Sequence, residues 1–368
     1  MIPQRLVFID VARCIAILLM LEGHFISSLL DPSYINHNHW AYITWSSVRT
    51  ITAPLFLTIS GLIFSFLLCT PTAHVRKNNP RIKKGLLRSG MLFLWGIVLH
   101  LSIRQFNAYA NGVFSEWIFS FHILQCLSVG LIVIIAVYAF HKKVGGISLA
   151  MYLLILSTLL ISLYPFLASL SSTEFYPTWA HAIIQNALKG PNSIFPIVPW
   201  ISFMLYGAVI GSMLSAKREL STGWKLPVTL ILIGLFLRFG LNHLLYAFDV
   251  HFDEVLTEGI YALDVAHIYN RLGTVLIILA CLMILLKKVE IKENNLMLRV
   301  GQQTLMIYIV HCILLYGALA GYGLDTYFHH SLTPWQAILG AIGFLGFFIL
   351  LTLVVEKKNV LLGRIRRN

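Results

Sequence analysis

Charge is scarce in this chain: 11% of its 368 residues are Asp, Glu, Lys or Arg, where soluble domains carry about 25%. Acidic residues are the scarcer sign, 15 against 27 Lys and Arg. No polar stretch is long enough for a sizeable soluble domain. Cysteine is sparse too, and Cys14, Cys69, Cys126, Cys281 and Cys312 fall in or beside apolar runs without paired spacing. That pattern excludes a disulfide framework and a zinc site, leaving buried thiols that behave as small hydrophobes. The short alternating segments of an outer-membrane barrel are missing, so any membrane-spanning elements are helices. The first apolar run lacks a small-residue cleavage site and carries charges, and it is expected to be a retained helix, not a signal peptide.

What is present is apolar: 58% of the residues are hydrophobic. A hydrocarbon core about 30 Å thick needs roughly 20 apolar residues per helix. Segments near that length run from 7 to 30, 48 to 69, 86 to 103, 117 to 140, 147 to 166, 195 to 214, 226 to 248, 271 to 286, 303 to 320 and 335 to 355. Between them the charge alternates. "HVRKNNPRIKKGLLR", "HKK", "AKREL", "KKVEIKE" and the tail "KKNVLLGRIRRN" hold most of the Lys and Arg, whereas "FDVHFDEVLTEG" is acidic. The positive-inside rule then puts both termini and the basic loops in the cytoplasm. The chain, 1–368, is expected to be a single all-α polytopic membrane bundle of about ten transmembrane helices.

The formal charge of +12 follows from this topology and from contact with anionic membrane lipid, and requires no nucleic-acid partner. The 74–88 loop is more basic than orientation demands, which suits it to an anionic cytoplasmic ligand. In loop 167–194, "PTWAHAIIQNALKG" reads as a short amphipathic helix on the outer face.

The first segment, "RLVFIDVARCIAILLMLEGHFISSLL", contains Asp10, Arg13, Glu22 and His24. Its three full charges cost about 2.5 to 3.5 kcal/mol each near the core, against about −0.3 to −0.6 kcal/mol per apolar side chain. The two sums nearly cancel, so its polar groups should face protein or a wet cavity. At about 100° per residue, Asp10, Arg13 and His24 share one stripe while Glu22 lies on the other side and needs a different partner. A rise of 1.5 Å per residue places His24 about 16 Å beyond Arg13, in the outer half of the membrane. Asp10 and Arg13 suit either an ion pair that fixes packing or a functional pair. Imidazole has the proton affinity for acid–base work near neutral pH, which makes His24, and His37 and His39 in "YINHNHW", candidates for a base. Metal binding by His24, His37, His39 and His311 lacks helical ligand spacing, and no metal is expected. Gln125, Arg238, Asn242, His243, Arg271 and His311 are further polar residues in apolar runs. Pro54 is expected to kink the second helix and free backbone groups beside a site.

"R-x3-ID-x2-R", with ten residues between Arg13 and His24, resembles the first helix of the transmembrane acyltransferase superfamily. "TAPLFLTISGLIFS" is similar to that superfamily's second helix, and "FHILQCLSVGLIVI", "FPIVPWISFMLYGAVIG" and "QQTLMIYIVHCILL" follow in order. The set resembles the heparan-α-glucosaminide N-acetyltransferase-like branch more than the acyltransferase-3 branch, over nearly the whole chain. The resemblance implies an acyl-CoA co-substrate, commonly acetyl-CoA, offered from the cytoplasm. It also implies an acceptor hydroxyl or amine on a carbohydrate or glycolipid across a membrane, here a bacterial cytoplasmic one. It makes Arg13 and His24, with Asp10, the motif residues. In the glucosaminide branch an asparagine matches His24 and a histidine in the following loop is the proposed catalyst, for which His39 or His37 is the nearest counterpart.

Acyl transfer from a thioester agrees with these residues. It needs a base for the acceptor's proton, met by His24 or His39, and donors for an oxyanion, open to Arg13, Asn242 or a broken helix's backbone. Arg81, Lys83, Lys84 and Arg88 offer cations for the CoA phosphates. Direct transfer is expected, with an acyl-histidine intermediate the less favoured variant. A proton-coupled transporter would also use intramembrane Asp, Arg, Glu and His, but no internal repeat relates two halves. A sensor or scaffold would tolerate loss of His24. Self-association into a homo-oligomer is left open.

Overall fold

The computed structural model describes residues 6–70, 79–103, 110–112, 120–170, 184–188, 193–241, 243–244, 260–287, 289 and 295–365. Among them the chain is all-helical, with two isolated bridges, Leu30 to Leu332 and Ser102 to Leu319, in place of any sheet. The helices are α1 (Val7–Leu29), α2 (Trp40–Leu68), α3 (Pro80–Val98), α4 (Ile123–Val144), α5 (Leu149–Leu170) and α6 (Ile197–Ala216). They continue with α7 (Glu219–Thr222), α8 (Lys225–Leu235) running into a π-turn at Phe236–Gly240, and α9 (Ile260–Leu285). The last are α10 (Leu296–Gln302), α11 (Thr304–Tyr316), α12 (Leu324–Phe328) and α13 (Pro334–Ile365).

Among the described residues, a helix or helix pair overlaps each expected segment. Six helices among the described residues, α2, α4, α5, α6, α9 and α13, are long and apolar enough to cross a membrane. Together α10 and α11 also qualify, bent by 73° at Gln303. α1, α3 and α8 are not among these six, and α8 is continued by a π-turn. Boundaries differ where side chains other than aliphatic ones extend a helix. α2 begins at Trp40 rather than 48, because Trp40, Tyr42 and Trp45 suit a membrane–water interface without ending the helix. Pro54 lies inside α2, where it withdraws the amide that the Thr50 carbonyl would otherwise accept. The acidic loop 248–259, Asn242 and most of "PTWAHAIIQNALKG" lie outside the described residues, although 184–188 is helical.

The chain divides into two compact units. In the first, residues 53–97 and 114–289, α2 and α6 meet through "GAVIG". A Cβ on Gly207 would run into the Thr58 carbonyl, one on Gly211 into that of Leu62, and one on Gly61 into that of Met204. Small residues four apart let two backbones touch, which is how helices gain packing where lipid supplies no hydrophobic drive.

In the second unit, residues 7–52, 98–113 and 290–368, α1 packs on α10, α11 and α13. Cys14, Ile17, Leu21, Phe25 and Leu29, spaced three and four apart, bury one stripe against Val300, Ile307, Leu315, Ala341, Phe344 and Phe348. The exit of α1 is pinned as well. His330 N–H donates to Ser28 O (3.1 Å), Leu332 N–H to Leu29 O (2.9 Å) and Asp31 N–H to Leu332 O (3.0 Å). Helix-end carbonyls that would otherwise lack partners are thus satisfied by the segment leading into α13.

Candidate active site

α1 presents its polar residues at two levels. At the first level, Asp10 Oδ1 and Arg13 Nη1 are 3.9 Å apart, one helical turn from each other, with side chains 9% and 12% exposed. Gly301 of α10 passes directly over the Asp10 carbonyl. The expected pairing is therefore present, in a tightly packed helix crossing.

Three turns further on, His24 meets α11. Its Nδ1 is 3.0 Å from Nε2 of His311, and the ring centroids are 5.2 Å apart. His311 is fully buried, and its Nδ1 lies 2.5 Å from the Tyr308 carbonyl oxygen. These partners assign the tautomers. A carbonyl only accepts, so His311 Nδ1 carries hydrogen and its Nε2, in the neutral ring, offers a lone pair. His24 Nδ1 must then donate to it. The Nε2 of His24 is left unprotonated and partnerless in the hydrogen-bond chain, as a base requires. Tyr316, one turn and a residue beyond His311, sets its ring edge-on to His24 with centroids 5.9 Å apart.

The residue on the other flank of α1 also finds its partner. Trp45 Nε1–H donates to Glu22 Oε1 (2.8 Å), and the Arg49 guanidinium carbon lies 5.1 Å from the Trp45 ring centre. Gly23, between Glu22 and His24, makes room for this arginine: a Cβ there would lie 3.2 Å from Arg49 Cγ. Trp45 and Arg49 escaped the sequence reading. The available signal was a lone arginine at a helix end expected to face away from the basic loops.

The loop histidines take a different position. His39 is exposed at the start of α2, where its Nδ1 accepts from Ala41 N–H (3.3 Å) as a helix cap would. Its ring neighbour is Trp40, and that of His37 is Tyr42. Neither ring partners His24. Nearby, the Ser33 N–H bonded to the Asp31 side chain holds that exposed carboxyl below the usual carboxylate range.

In the first unit, Arg81, Lys83, Lys84 and Arg88 lie in the opening turns of α3, which Asn79 caps by accepting from Arg81 N–H (2.9 Å). Helical spacing puts Arg81, Lys84 and Arg88 on one stripe beside the buried face of Gly85, Ser89, Leu92 and Gly96. Lys83 points away from that stripe. Gln125 closes the first turn of α4 by accepting from His122 N–H (3.2 Å). Arg238, in the π-turn, donates to the Thr274 hydroxyl. Among the described residues no group of three or more His, Cys, Asp or Glu could hold a metal ion.

An imidazole whose Nδ1 hydrogen is directed to a second, buried histidine keeps a lone pair on its Nε2. Residues 5–251 match the family model described as heparan-alpha-glucosaminide N-acetyltransferase, catalytic. The chain belongs to this family. No curated protein matches it. The heparan-alpha-glucosaminide N-acetyltransferase match, with the apolar helices, makes the chain a multi-pass membrane acyltransferase. It takes in Asp10, Arg13, Glu22, His24, His39, Arg49 and the basic turns of α3, and it ends before α11. His311, Tyr308 and Tyr316 thus lie beyond the matched segment.

Proposed function

We propose that this protein moves an acetyl group from cytoplasmic acetyl-CoA to a hydroxyl or amine of a carbohydrate or glycolipid on the far side of a bacterial cytoplasmic membrane. Ten spans carry the chain: α1 to α6, α8 with its π-turn, α9, α10 with α11, and α13, both termini being cytoplasmic by the distribution of Lys and Arg. One observation carries the chemical reading: the Tyr308 carbonyl, His311 and His24 form a chain of bonds that leaves His24 Nε2 as a lone-pair base.

His24 takes the proton from the acceptor as its oxygen or nitrogen attacks the thioester carbonyl carbon. Collapse expels the CoA thiolate, and the imidazolium returns the proton to it, so that the products are an acetyl ester or amide and CoA. No acyl-enzyme is needed. Arg13, steadied by Asp10, lies about 16 Å along α1 from His24, too far to touch the same reacting atoms. We assign it to the donor, whose acetyl group sits at the end of a long pantetheine arm. Arg81, Lys84 and Arg88, which share one stripe of α3, supply cations for the CoA phosphates, and Lys83 lies off that stripe. His39 is the alternative base, with an Nε2 that its capping bond leaves free.

The test is release of CoA from acetyl-CoA by the purified protein in lipid nanodiscs, with glucosamine as the amine acceptor and methyl β-glucoside as the hydroxyl acceptor. Acetylated product from wild type, lost in His24→Ala with acetyl-CoA binding retained, is the expected result. Uptake of a sugar by proteoliposomes without chemical change would replace this reading by the carrier.

A further inference from the structure

The reaction proposed above develops negative charge on the thioester oxygen, which calls for a hydrogen-bond donor beside His24. Arg13 is about three turns away on the same helix. The ring hydrogen of His311 is directed to the Tyr308 carbonyl and its Nε2 accepts from His24, so it has none for an oxyanion. A cation beside His24 does exist on α2.

Three observations place it. Gly23 separates Glu22 from His24, and the stem of Arg49 lies against it, in space that any side chain at that position would contest. The guanidinium is turned toward the Trp45 ring, whose N–H is tied to Glu22, so the arginine is braced by an aromatic face that a carboxylate holds in place. Its charge also acts on both His24 and Tyr316. Yet Arg49 is exposed, and it is not one of the described residues' close ion pairs. Its planar fork therefore retains donors for a ligand.

We propose that Arg49 hydrogen-bonds the acetyl carbonyl oxygen of the bound thioester and holds the oxyanion formed when the acceptor attacks. Glu22 and Trp45 are positioning residues that aim it. In the step itself, the acceptor lone pair forms the new bond to the carbonyl carbon, the C=O π pair moves onto the oxygen facing Arg49, and the acceptor proton passes to His24 Nε2. Reforming the C=O then breaks the C–S bond, and the thiolate takes the proton from His24. Arg49 exchanges no proton.

This rests on the acetyl-transfer reading, and one experiment separates the two. Acetyl-CoA labelled with 13C at the carbonyl is bound to full-length protein in nanodiscs, and its carbonyl stretch is read by difference infrared spectroscopy beside CoA release with glucosamine. Wild type should lower the stretching frequency relative to free acetyl-CoA. Arg49→Met should abolish that shift and lower kcat by about 10²- to 10³-fold, as loss of an oxyanion donor does, with KM for acetyl-CoA within twofold; Arg49→Lys should retain part of both. A bound carbonyl that Arg49→Met leaves unchanged overturns the role of Arg49 alone. So does a rise in KM for glucosamine at constant kcat, which would make Arg49 an acceptor contact. Absence of any bound acetyl signal in wild type overturns the transfer reading, and this assignment with it.

Discussion

His24 and His311, 287 positions apart in the chain, share a hydrogen bond of 3.0 Å between Nδ1 and Nε2. His311 does for His24 what a carboxylate does in a hydrolase triad: it fixes the tautomer and the ring's direction, here without adding a charge. Removing it leaves His24 free to rotate and to put its hydrogen on the wrong nitrogen. His311→Ala is expected to lower kcat by about 10²-fold, within the range for loss of an effective general base, with KM for acetyl-CoA unchanged. His311→Gln, whose carbonyl can accept from His24, should recover part of that loss. Equal kcat in wild type and His311→Ala, by CoA release, would count against the relay.

His24 and His39 are separable by the jobs their Nδ1 atoms do. That of His39 caps α2 at Ala41, so His39→Ala should lower thermal stability by about 1 kcal/mol, as loss of a helix cap does, and leave most of the turnover. His24→Ala should leave stability nearly intact and abolish turnover. The reverse pattern, measured by thermal unfolding and CoA release on the same two variants, would transfer the base role to the loop.

The helices were legible because apolar runs of span length are a strong signal, and so was the polar stripe of α1, because Asp10, Arg13 and His24 repeat at helical angles. Periodicity describes one helix at a time. It does not say that α11 is the element set against His24, so His311 stood in the sequence as one buried polar residue among several. Arg49 was hidden differently: it lies in an interfacial turn of α2 whose Trp40, Tyr42 and Trp45 continue the helix beyond the hydrophobic stretch. The π-turn after α8 has no sequence signature, since Phe236–Gly240 reads as an ordinary apolar helix until its hydrogen bonds are known.

The basic turns of α3 give a prediction that depends on face. Arg81, Lys84 and Arg88 share one stripe, and Lys83 lies off it. If the stripe takes CoA phosphates, Arg81→Glu with Arg88→Glu should raise KM for acetyl-CoA about tenfold, equivalent to about 1.4 kcal/mol, and raising salt should weaken wild-type binding in the same direction. Lys83→Glu changes the net charge by the same amount per site and should raise KM less than twofold. An equal effect per charge at all these positions would mean that the loop acts through its overall field, with no bound phosphate on that stripe.

The crossing of α2 and α6 predicts where the bundle is least tolerant. A side chain on Gly207 meets the Thr58 carbonyl, a backbone atom that cannot rotate away, whereas the space around Gly90 and Gly343 is open to 4 Å. Gly207→Ala should therefore destabilise the protein by about 1 to 3 kcal/mol, the range for forcing extra volume into a packed interior, and Gly207→Leu should prevent its recovery in folded form. Gly90→Ala should be neutral or slightly stabilising, because it adds helix propensity without a clash. Thermal unfolding in detergent decides this. If Gly207→Ala unfolded at the wild-type temperature, the two helices would have slack at their closest point, and "GAVIG" would be a stretch of small residues with no packing role.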